Sequence, residues 1–237
     1  MAGDMRQERI VFVHGSGSFG AAAWRTQHVL AGTYDCLFLR RHGFDPVAPP
    51  VPTDFGADVQ IVVEALGSGG HLVAASQGAV SAMMAAVDRP ELVWSLTLAE
   101  PACLSLTREL PATRTHIELV SNLFARRWEL DDEAFLSEFV SLLYGVPATR
   151  PVTALARRGA ARLKLQAPPW EAPLSIVPGV PTMVLTGGWE PMYEEVAAFL
   201  ASTGAAHHQL GGGHKPLDTP EGMQYLREFL EHHGGKA

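Results

Sequence analysis

Short apolar runs alternate with helical patterns along most of the chain. Six such runs are bounded by Gly, Pro and Asp, at 10–13, 36–39, 72–75, 96–99, 183–185 and about 206–210. Runs of this length predict buried strands, and their alternation with helices is typical of crossover units. The pattern predicts an α/β fold: a mostly parallel sheet of about six strands, flanked by helices.

Two helices are predicted between these strands. Residues 59–66 carry apolar side chains at i, i+3, i+4 and i+7, behind a candidate cap at Thr53 or Asp54. The segment 79–87 is small and apolar on all sides until Pro90 ends it. The first pattern indicates an amphipathic crossover helix, and the second a helix packed deeply against the sheet.

The alternation stops between residues 103 and 171. Residues 117–124 and 134–142 show helical spacing, the second capped near Asp131 and ended at Gly145, and no strand-like run interrupts them. We interpret 103–171 as a helical cap inserted into the fold, although two stacked helical hairpins without a functional role would give the same pattern. The predicted division is 1–102 and 172–237 for the core and 103–171 for the cap.

Composition narrows the class of protein. The 237 residues are 47% hydrophobic and 18% charged, which excludes disordered, fibrous and coiled-coil proteins and fits one large domain. A net charge of −7 without a basic run argues against a nucleic-acid partner. Two cysteines form no disulfide framework, and we find no secretion signal and no apolar span of about 18 residues. We expect a cytoplasmic protein with a small-molecule substrate and no membrane partner, and the sequence fixes no oligomeric state.

The third apolar run leads directly into Ser76, Gln77 and Gly78 and then into a helix. This arrangement is typical of a nucleophile elbow, a turn so tight that the positions two before and two after the serine need very small side chains. Ala74 and Gly78 occupy those positions, and Ala74 adds one methyl where the usual motif has glycine. The alternative interpretation is that Ser76 is an ordinary helix cap.

A second glycine-rich loop follows the first predicted strand, with His14, Gly15, Ser16 and Gly17. Acyl transfer needs two backbone N–H donors facing the oxyanion of the tetrahedral intermediate. We assign these donors to Gln77 and Ser16, with Gly17 as the alternate to Ser16. A phosphate-binding loop is a weaker interpretation, because neither the dinucleotide nor the P-loop spacing of glycines is present.

A general base is expected near the end of the chain. His214 follows three glycines on a loop between the last predicted strand and a final amphipathic helix. The other late histidines, at 207–208 and 232–233, read as solvated pairs whose spacing matches no metal site. His214 is therefore the candidate base.

Together, His14-Gly15, the 74–78 elbow and the Gly-Gly-Gly-His214 loop resemble the α/β-hydrolase fold family. The resemblance covers 9–102 and 172–237. It implies a central, mostly parallel sheet that begins at the family's third strand, and a serine–acid–histidine triad in that chain order. It implies no metal and no organic cofactor.

The triad acid has two main candidates. Glu100 ends the strand after the nucleophile helix in an Ala-Glu-Pro sequence, a position that some family members use. Glu190 lies in the later loop, where the family most often has Asp. We prefer Glu100, because its longer side chain suits the distance to His214 and because similar Gly-Gly-x-x-Pro relatives need no acid at position 190. Glu194 and Asp218 are weaker candidates.

The resemblance implies a serine hydrolase, of carboxylesterase or lactonase type, for an ester, thioester or lactone of a small and modestly apolar substrate. Ser76 would attack the carbonyl, and His214 would take the serine proton and return it to the leaving group. Aromatic cap residues are expected to line the substrate pocket, although at helical spacing they fit an ordinary core as well. The predicted pocket residues are His14, Gly15, Phe124, Trp128, Phe135 and Phe139.

Other activities occur on this fold. A serine nucleophile argues against dehalogenase and epoxide hydrolase chemistry, which in this family uses Asp. It leaves carbon–carbon bond hydrolysis, with which the loop at 14–17 is compatible, and lyase or cyclase activity in secondary metabolism. A receptor that kept the triad but turns over very slowly is the alternative outside enzymes. Measured turnover separates such a receptor from an enzyme.

Overall fold

A computed structural model describes residues 7–147 and 153–235. It contains one six-stranded sheet in which every neighbouring pair is parallel, in the order β2-β1-β3-β4-β5-β6. The strands are β1 (Arg9–Val13), β2 (Asp35–Phe38), β3 (Gly70–Ala75), β4 (Val93–Ala99), β5 (Thr182–Thr186) and β6 (Ala206–Gln209). The predicted parallel sheet is confirmed, with strand ends that shift by one to three residues.

Seven α-helices connect or flank these strands in the described residues. They are α1 (Phe55–Leu66), α2 (Gly78–Asp88), α3 (Pro111–Ala125), α4 (Asp132–Tyr144), α5 (Ala154–Leu165), α6 (Pro191–Ser202) and α7 (Pro220–His232). Short 3₁₀ helices lie at Gly20–Ala23, Arg25–Gly32, Pro90–Leu92, Arg127–Glu129, Pro169–Glu171 and Pro216–Asp218. None of these helices has both the length and the hydrophobicity to cross a membrane, within 7–147 and 153–235.

Local chemistry explains the helix ends. The Asp54 side chain accepts the N–H of Ala57 at the start of α1, so of the two candidate caps Asp54 is the one used. At the start of α4, Asp131 accepts the N–H of Ala134. Gly145 ends α4 in a left-handed conformation with φ of 65°, which glycine adopts without steric cost.

Both faces of the sheet are covered, as a parallel sheet requires. Along β1, Val11 and Val13 pack toward α1, α2 and α6, whereas Ile10 and Phe12 pack toward α7 and the first 3₁₀ segments. All four side chains are fully buried. The sheet therefore lies between two helical layers, and its carboxyl edge is left for the loops that follow each strand.

Helices α3, α4 and α5 occupy the long connection between β4 and β5, which we call the helical insertion (103–171). The described part of this connection contains no strand, and residues 148–152 lie outside the described ranges. The insertion packs on the core through the buried Val120 and Trp170. It lies next to the carboxyl edge of the sheet, because several of its side chains share a cavity with Ser76.

Candidate active site

Ser76 forms the turn between β3 and α2 with a left-handed backbone, at φ of 51°. Such a φ is uncommon for a residue with a side chain. The turn is held by hydrogen bonds from the Ser76 N–H to the Ala99 carbonyl (2.9 Å) and from the Ala79 N–H to the Ser76 carbonyl (3.0 Å). The helix begins at Gly78 with no side-chain cap, so the structure gives Ser76 the geometry of an elbow and not of a helix cap.

Two glycines let the β1 loop approach this turn. A Cβ added to Gly78 would lie 2.3 Å from the His14 carbonyl oxygen and 2.5 Å from that of Val13. A Cβ added to Gly15 would lie 2.9 Å from the Ser76 Cβ. Side chains larger than hydrogen are excluded at both positions, so the loop after β1 lies directly against the elbow.

The Gly15 carbonyl is fixed by two donors. It accepts hydrogen bonds from the His14 Nδ1 (2.8 Å) and from the Arg41 Nη2 (3.2 Å). In a trans peptide the next N–H points away from the carbonyl, so these bonds direct the N–H of Ser16 to the opposite side. Within 7–147 and 153–235, the N–H groups of Ser16 and Gln77 donate to no protein acceptor.

A buried ion pair stands behind this loop. The Arg41 Nη1 lies 3.1 Å from the Asp58 Oδ2, and both side chains are 1% exposed. Asp58 also accepts the His42 N–H (2.7 Å) and the Ser81 hydroxyl (3.1 Å), so its charge is compensated. Burial, reinforced by Arg41, lowers the pKa of His14 to about 3. His14 is therefore neutral, and its Nε2 accepts the Arg41 N–H (3.1 Å).

The segment after α5 is hydrogen-bonded to the same loop and to the elbow. The Gln166 Nε2 donates to the Ser16 carbonyl (3.2 Å), and the Gln77 Nε2 donates to the Ala167 carbonyl (2.7 Å). The Ser16 hydroxyl donates to the Gln77 Oε1 (2.7 Å). These bonds connect the helical insertion to both residues assigned as oxyanion donors.

Glu100 follows β4 with a left-handed backbone, and its side chain is 1% exposed. Its Oε1 accepts the Gly187 N–H (2.6 Å), and its Oε2 accepts the Trp189 Nε1–H (2.7 Å). The Oε2 also lies 3.5 Å from the His214 Nδ1. That nitrogen is buried and has no hydrogen-bond partner within the described residues, so the carboxylate of Glu100 is its neighbouring acceptor.

His214 lies on the loop after β6, and its side chain is 30% exposed. This loop touches the loop after β5 through bare backbone, because a Cβ added to Gly187 would lie 1.9 Å from the Gly213 carbonyl oxygen. The imidazole packs against two aromatic rings, with centroid distances of 5.7 Å to Trp189 and 5.3 Å to Tyr193. The close approach of Gly187 and Gly213 fixes the position of the loop that carries His214.

The other candidate acids have different surroundings. Within the described residues, Glu100 is the one carboxylate within 4.0 Å of His214. Glu194 lies 3.6 Å from His207, and Asp218 lies 3.8 Å from Lys215. Glu190 is half-buried on a cavity wall, and burial raises its pKa.

A cavity of about 410 Å³ opens above Ser76. Its wall includes His14, Gly15, Ser16, Gln77 and His214, together with Phe124 and Phe139 from the insertion. Aliphatic side chains of Leu104, Val120 and Leu143 complete much of the surface. The structure thus gathers the predicted nucleophile, base and oxyanion loop around one largely apolar space.

Two predicted pocket residues require correction. Trp128 is 61% exposed, and Phe135 is fully buried, and neither lies on the cavity wall. Phe135 packs among Phe124 and Phe139, at centroid distances of 5.7 Å and 6.1 Å, and so belongs to the interior of the insertion. Helical spacing places Phe135 and Phe139 on one face of α4, but it does not show which of them reaches the cavity.

The sequence patterns did not predict several residues that line the cavity. Tyr193 lies on the cavity wall, and its burial and the charge of Glu100 raise its pKa. Trp189 and His116 also line the cavity. Their positions in ordinary helical or loop sequence carried no signal, because only the tertiary fold brings them to the carboxyl edge of the sheet.

A parallel sheet with a serine elbow after one strand and a histidine loop after the last defines the class of α/β hydrolases. The profile of the Alpha/beta hydrolase family matches residues 10–223, and the chain belongs to this family. No curated protein sequence matches it.

Solved structures share the fold at low sequence identity. MenH from S. aureus is 15% identical, with a TM-score of 0.66 over 99% of this chain and 97% of that one. An epoxide hydrolase from Bacillus megaterium is 17% identical, with a TM-score of 0.63 over 95% and 94%. NosK from Streptomyces actuosus is 18% identical, with a TM-score of 0.64 over 97% and 100%. These likenesses show the fold of the chain.

Proposed function

We propose that this α/β hydrolase is a serine hydrolase of carboxylesterase or lactonase type. It would cleave an ester, thioester or lactone of a small and modestly apolar substrate. The observation that carries the proposal is one arrangement: Ser76 in a left-handed turn, on the same cavity as His214, whose Nδ1 lies 3.5 Å from the buried carboxylate of Glu100.

In the proposed mechanism, the Ser76 Oγ attacks the substrate carbonyl carbon while His214 accepts the serine proton. The bond from the carbonyl carbon to the leaving group breaks, and His214 gives its proton to the leaving group. Water then attacks the acyl-enzyme, with His214 as the base, and the acid product leaves Ser76 free. Glu100 would hold the imidazole in the tautomer that this sequence requires.

The tetrahedral intermediate needs donors for its negative oxygen. The N–H groups of Ser16 and Gln77 support this role, because they have no protein acceptor within the described residues and flank the Ser76 elbow. Gly17 remains the alternate donor. The neutral His14 and the Arg41 guanidinium support the role indirectly, since both hold the Gly15 carbonyl on the other side of the peptide.

The helical insertion would act as a cap that selects the substrate. Its side chains form the apolar side of the cavity, and it contributes no charged group to the proposed triad. A space of about 410 Å³ fits a small acyl ester and suits apolar groups on the acyl side.

A fluorophosphonate probe tests the nucleophile. We expect the wild-type protein to be labelled on Ser76 and to hydrolyse short aryl esters, and the Ser76→Ala variant to be folded, unlabelled and inactive. Ser81, buried in α2, supplies the matched control: Ser81→Ala should keep the label. Labelling that persists in Ser76→Ala would overturn the assignment. Tight ligand binding without turnover by the wild type would indicate a receptor.

A further inference from the structure

Three aromatic rings form a continuous wall beside His214, which we call the aromatic wall (Tyr144, Trp189 and Tyr193). Tyr144 and Trp189 are parallel within 7° at a centroid distance of 5.9 Å, and Trp189 and Tyr193 are 6.0 Å apart. All three line the cavity that contains Ser76. The wall joins the end of α4 to the loop and helix that follow β5.

Two of the three rings are partly exposed, whereas Tyr193 is only 6% exposed. Tyr144 is 47% exposed and Trp189 is 36% exposed. The indole N–H is already engaged with Glu100, so what Trp189 offers to the cavity is its π surface. Cations of the protein lie over other rings, such as Arg41 over Phe44, and none lies over the wall within the described residues.

A carboxylate stands next to these rings. Glu190 follows Trp189 in sequence, lies half-buried on the same cavity wall, and has no basic partner within 4.0 Å among the described residues. The other carboxylate on the wall, Asp218, already faces Lys215 at 3.8 Å. The aromatic side of the cavity therefore carries a carboxyl group that has no basic partner within 4.0 Å among the described residues.

The position of the aromatic wall relative to His214 indicates which part of a substrate would contact these rings. His214 packs against Trp189 and Tyr193, and in the proposed mechanism His214 delivers the proton to the leaving group. In that mechanism the leaving-group arm would lie on the His214 side of the cavity, which the aromatic wall borders. Phe124 and Phe139, from the insertion, remain for the acyl chain.

We propose that the aromatic wall and Glu190 bind an ammonium group on the leaving-group arm, so that the preferred substrate is an ester or thioester of a cationic amino alcohol or aminothiol. Aromatic faces attract cations through the ring quadrupole, and a nearby carboxylate adds to the attraction. This inference rests on the proposed function. The reaction needs only water: the acyl–oxygen or acyl–sulfur bond breaks, and the acid and the free amino alcohol or aminothiol are released.

Two esters that differ only in charge test the proposal. Butyrylcholine carries a trimethylammonium group, and 3,3-dimethylbutyl butyrate has carbon in place of the nitrogen. We expect the wild type to have a kcat/KM about tenfold higher for the cationic ester, as a cation–π contact of moderate strength gives. Equal values, or a preference for the neutral ester, would overturn the proposal.

Two variants assign the preference to the wall. Glu190→Gln and Tyr144→Leu should each reduce the ratio of the two kcat/KM values, cationic over neutral ester, at least threefold. Asp218→Asn is the matched control, because its carboxylate already faces Lys215, and it should keep the wild-type ratio. An unchanged ratio in both test variants would contradict the assignment.

Binding to the Ser76→Ala protein separates this proposal from the proposed function. Calorimetry should show choline binding more tightly than 3,3-dimethylbutanol, and Glu190→Gln in the same background should reduce the difference at least threefold. Choline binding by a protein without esterase activity would overturn the proposed function and keep the cation site. Esterase activity without selective choline binding would overturn the cation site alone.

Discussion

Ser76 and Glu100 occupy equivalent positions at the ends of two adjacent strands. Ala75 and Ala99 are register partners in β3 and β4, and the residue after each is left-handed, with φ of 51° at Ser76 and 48° at Glu100. The N–H of each turns back to the neighbouring strand, that of Ser76 to Ala99 and that of Glu100 to Leu185, both at 2.9 Å. The sheet thus presents a hydroxyl and a carboxylate side by side at one edge.

This geometry predicts a large difference between the two main candidate acids. Glu100→Gln should lower kcat about 10³–10⁴-fold, because in the proposed triad the imidazole would lose the partner that fixes its tautomer. On a neutral ester, Glu190→Gln should cost less than about tenfold, the effect expected of a group outside the triad. Steady-state kinetics on a short aryl ester measure both.

The amide at position 100 can still accept the Gly187 N–H, so thermal unfolding of Glu100→Gln should be close to that of the wild type. A reversal of the two effects would move the acid to the later loop. Large losses from both variants would mean that the two carboxylates share the imidazole.

Substitutions of Phe135 and Phe139, both on α4, form a matched test of whether the insertion selects the acyl group. Phe139→Ala should raise KM and favour bulkier acyl groups, because it enlarges the cavity wall. Phe135→Ala should instead destabilise the protein by about 3–5 kcal/mol with little change in acyl preference, since the ring is fully buried within the insertion. Urea unfolding and an acyl-length series distinguish the two outcomes, and equal shifts in acyl preference would contradict this placement.

Gln166 offers a test of how the insertion holds the loop after β1. Gln166→Met removes the donor to the Ser16 carbonyl, and we expect kcat to fall about tenfold with KM little changed, less than the 10²–10³ that follows loss of an oxyanion donor itself. Affinity for a trifluoromethyl ketone, which forms a tetrahedral adduct, should fall in parallel.

The control for this variant is Thr53→Val. Thr53 accepts the Ala167 N–H, so its loss loosens the same segment without touching the Ser16 carbonyl. We expect near wild-type kcat for Thr53→Val. Similar losses in both variants would show that anchoring of the segment, and not the bond from Gln166, is responsible.

Buried histidines predict a loss of stability in mild acid. Burial lowers the pKa of His14 to about 3 and that of His71 and His116 to about 4. The unfolded chain, with histidine pKa values near 6.5, binds more protons below that pH. The contribution of these neutral histidines to the free energy of unfolding should therefore be fully present above pH 6.5. Below that pH, the free energy of unfolding should fall by about 1.4 kcal/mol per pH unit for each histidine, down to about pH 4.

Urea unfolding between pH 7 and pH 5 measures this slope. The His116 side chain makes no hydrogen bond within the described residues, so His116→Leu should reduce the slope by the contribution of one histidine. A slope unchanged by the substitution would show that His116 titrates normally in the folded protein.

The fold was largely predictable because local sequence patterns determine its strands and helices. All six strands lie at the predicted apolar runs, and Asp54, Asp131 and Gly145 delimit helices as their chemistry indicates. The differences are at the strand ends: Leu39 and Leu210 lie outside β2 and β6, because pairing with the neighbouring strand and not hydrophobicity ends a strand.

The site was predictable where a short motif carries the geometry. The 74–78 elbow and the loop at 14–17 could be read from their glycines and alanines, since only small residues permit those contacts. Arg41, Gln166 and Tyr193 come from elements far apart in sequence, and their contacts depend on how helices pack. Phe135 was misplaced for the same reason, because a pattern of apolar residues shows a buried face but not what covers it.

The contact between Gly187 and Gly213 has a consequence for how this protein can change. Neither residue has a side chain that could take part in a reaction, yet a single methyl at position 187 would lie 1.9 Å from the Gly213 carbonyl oxygen and push the His214 loop away from Glu100. A mutational scan should find position 187 among the least tolerant in the chain. Exposed positions elsewhere, such as Ser202 at the end of α6, should accept most substitutions. Contact between backbone atoms should therefore restrict substitution at position 187 as strictly as chemistry restricts it at the proposed reacting residues.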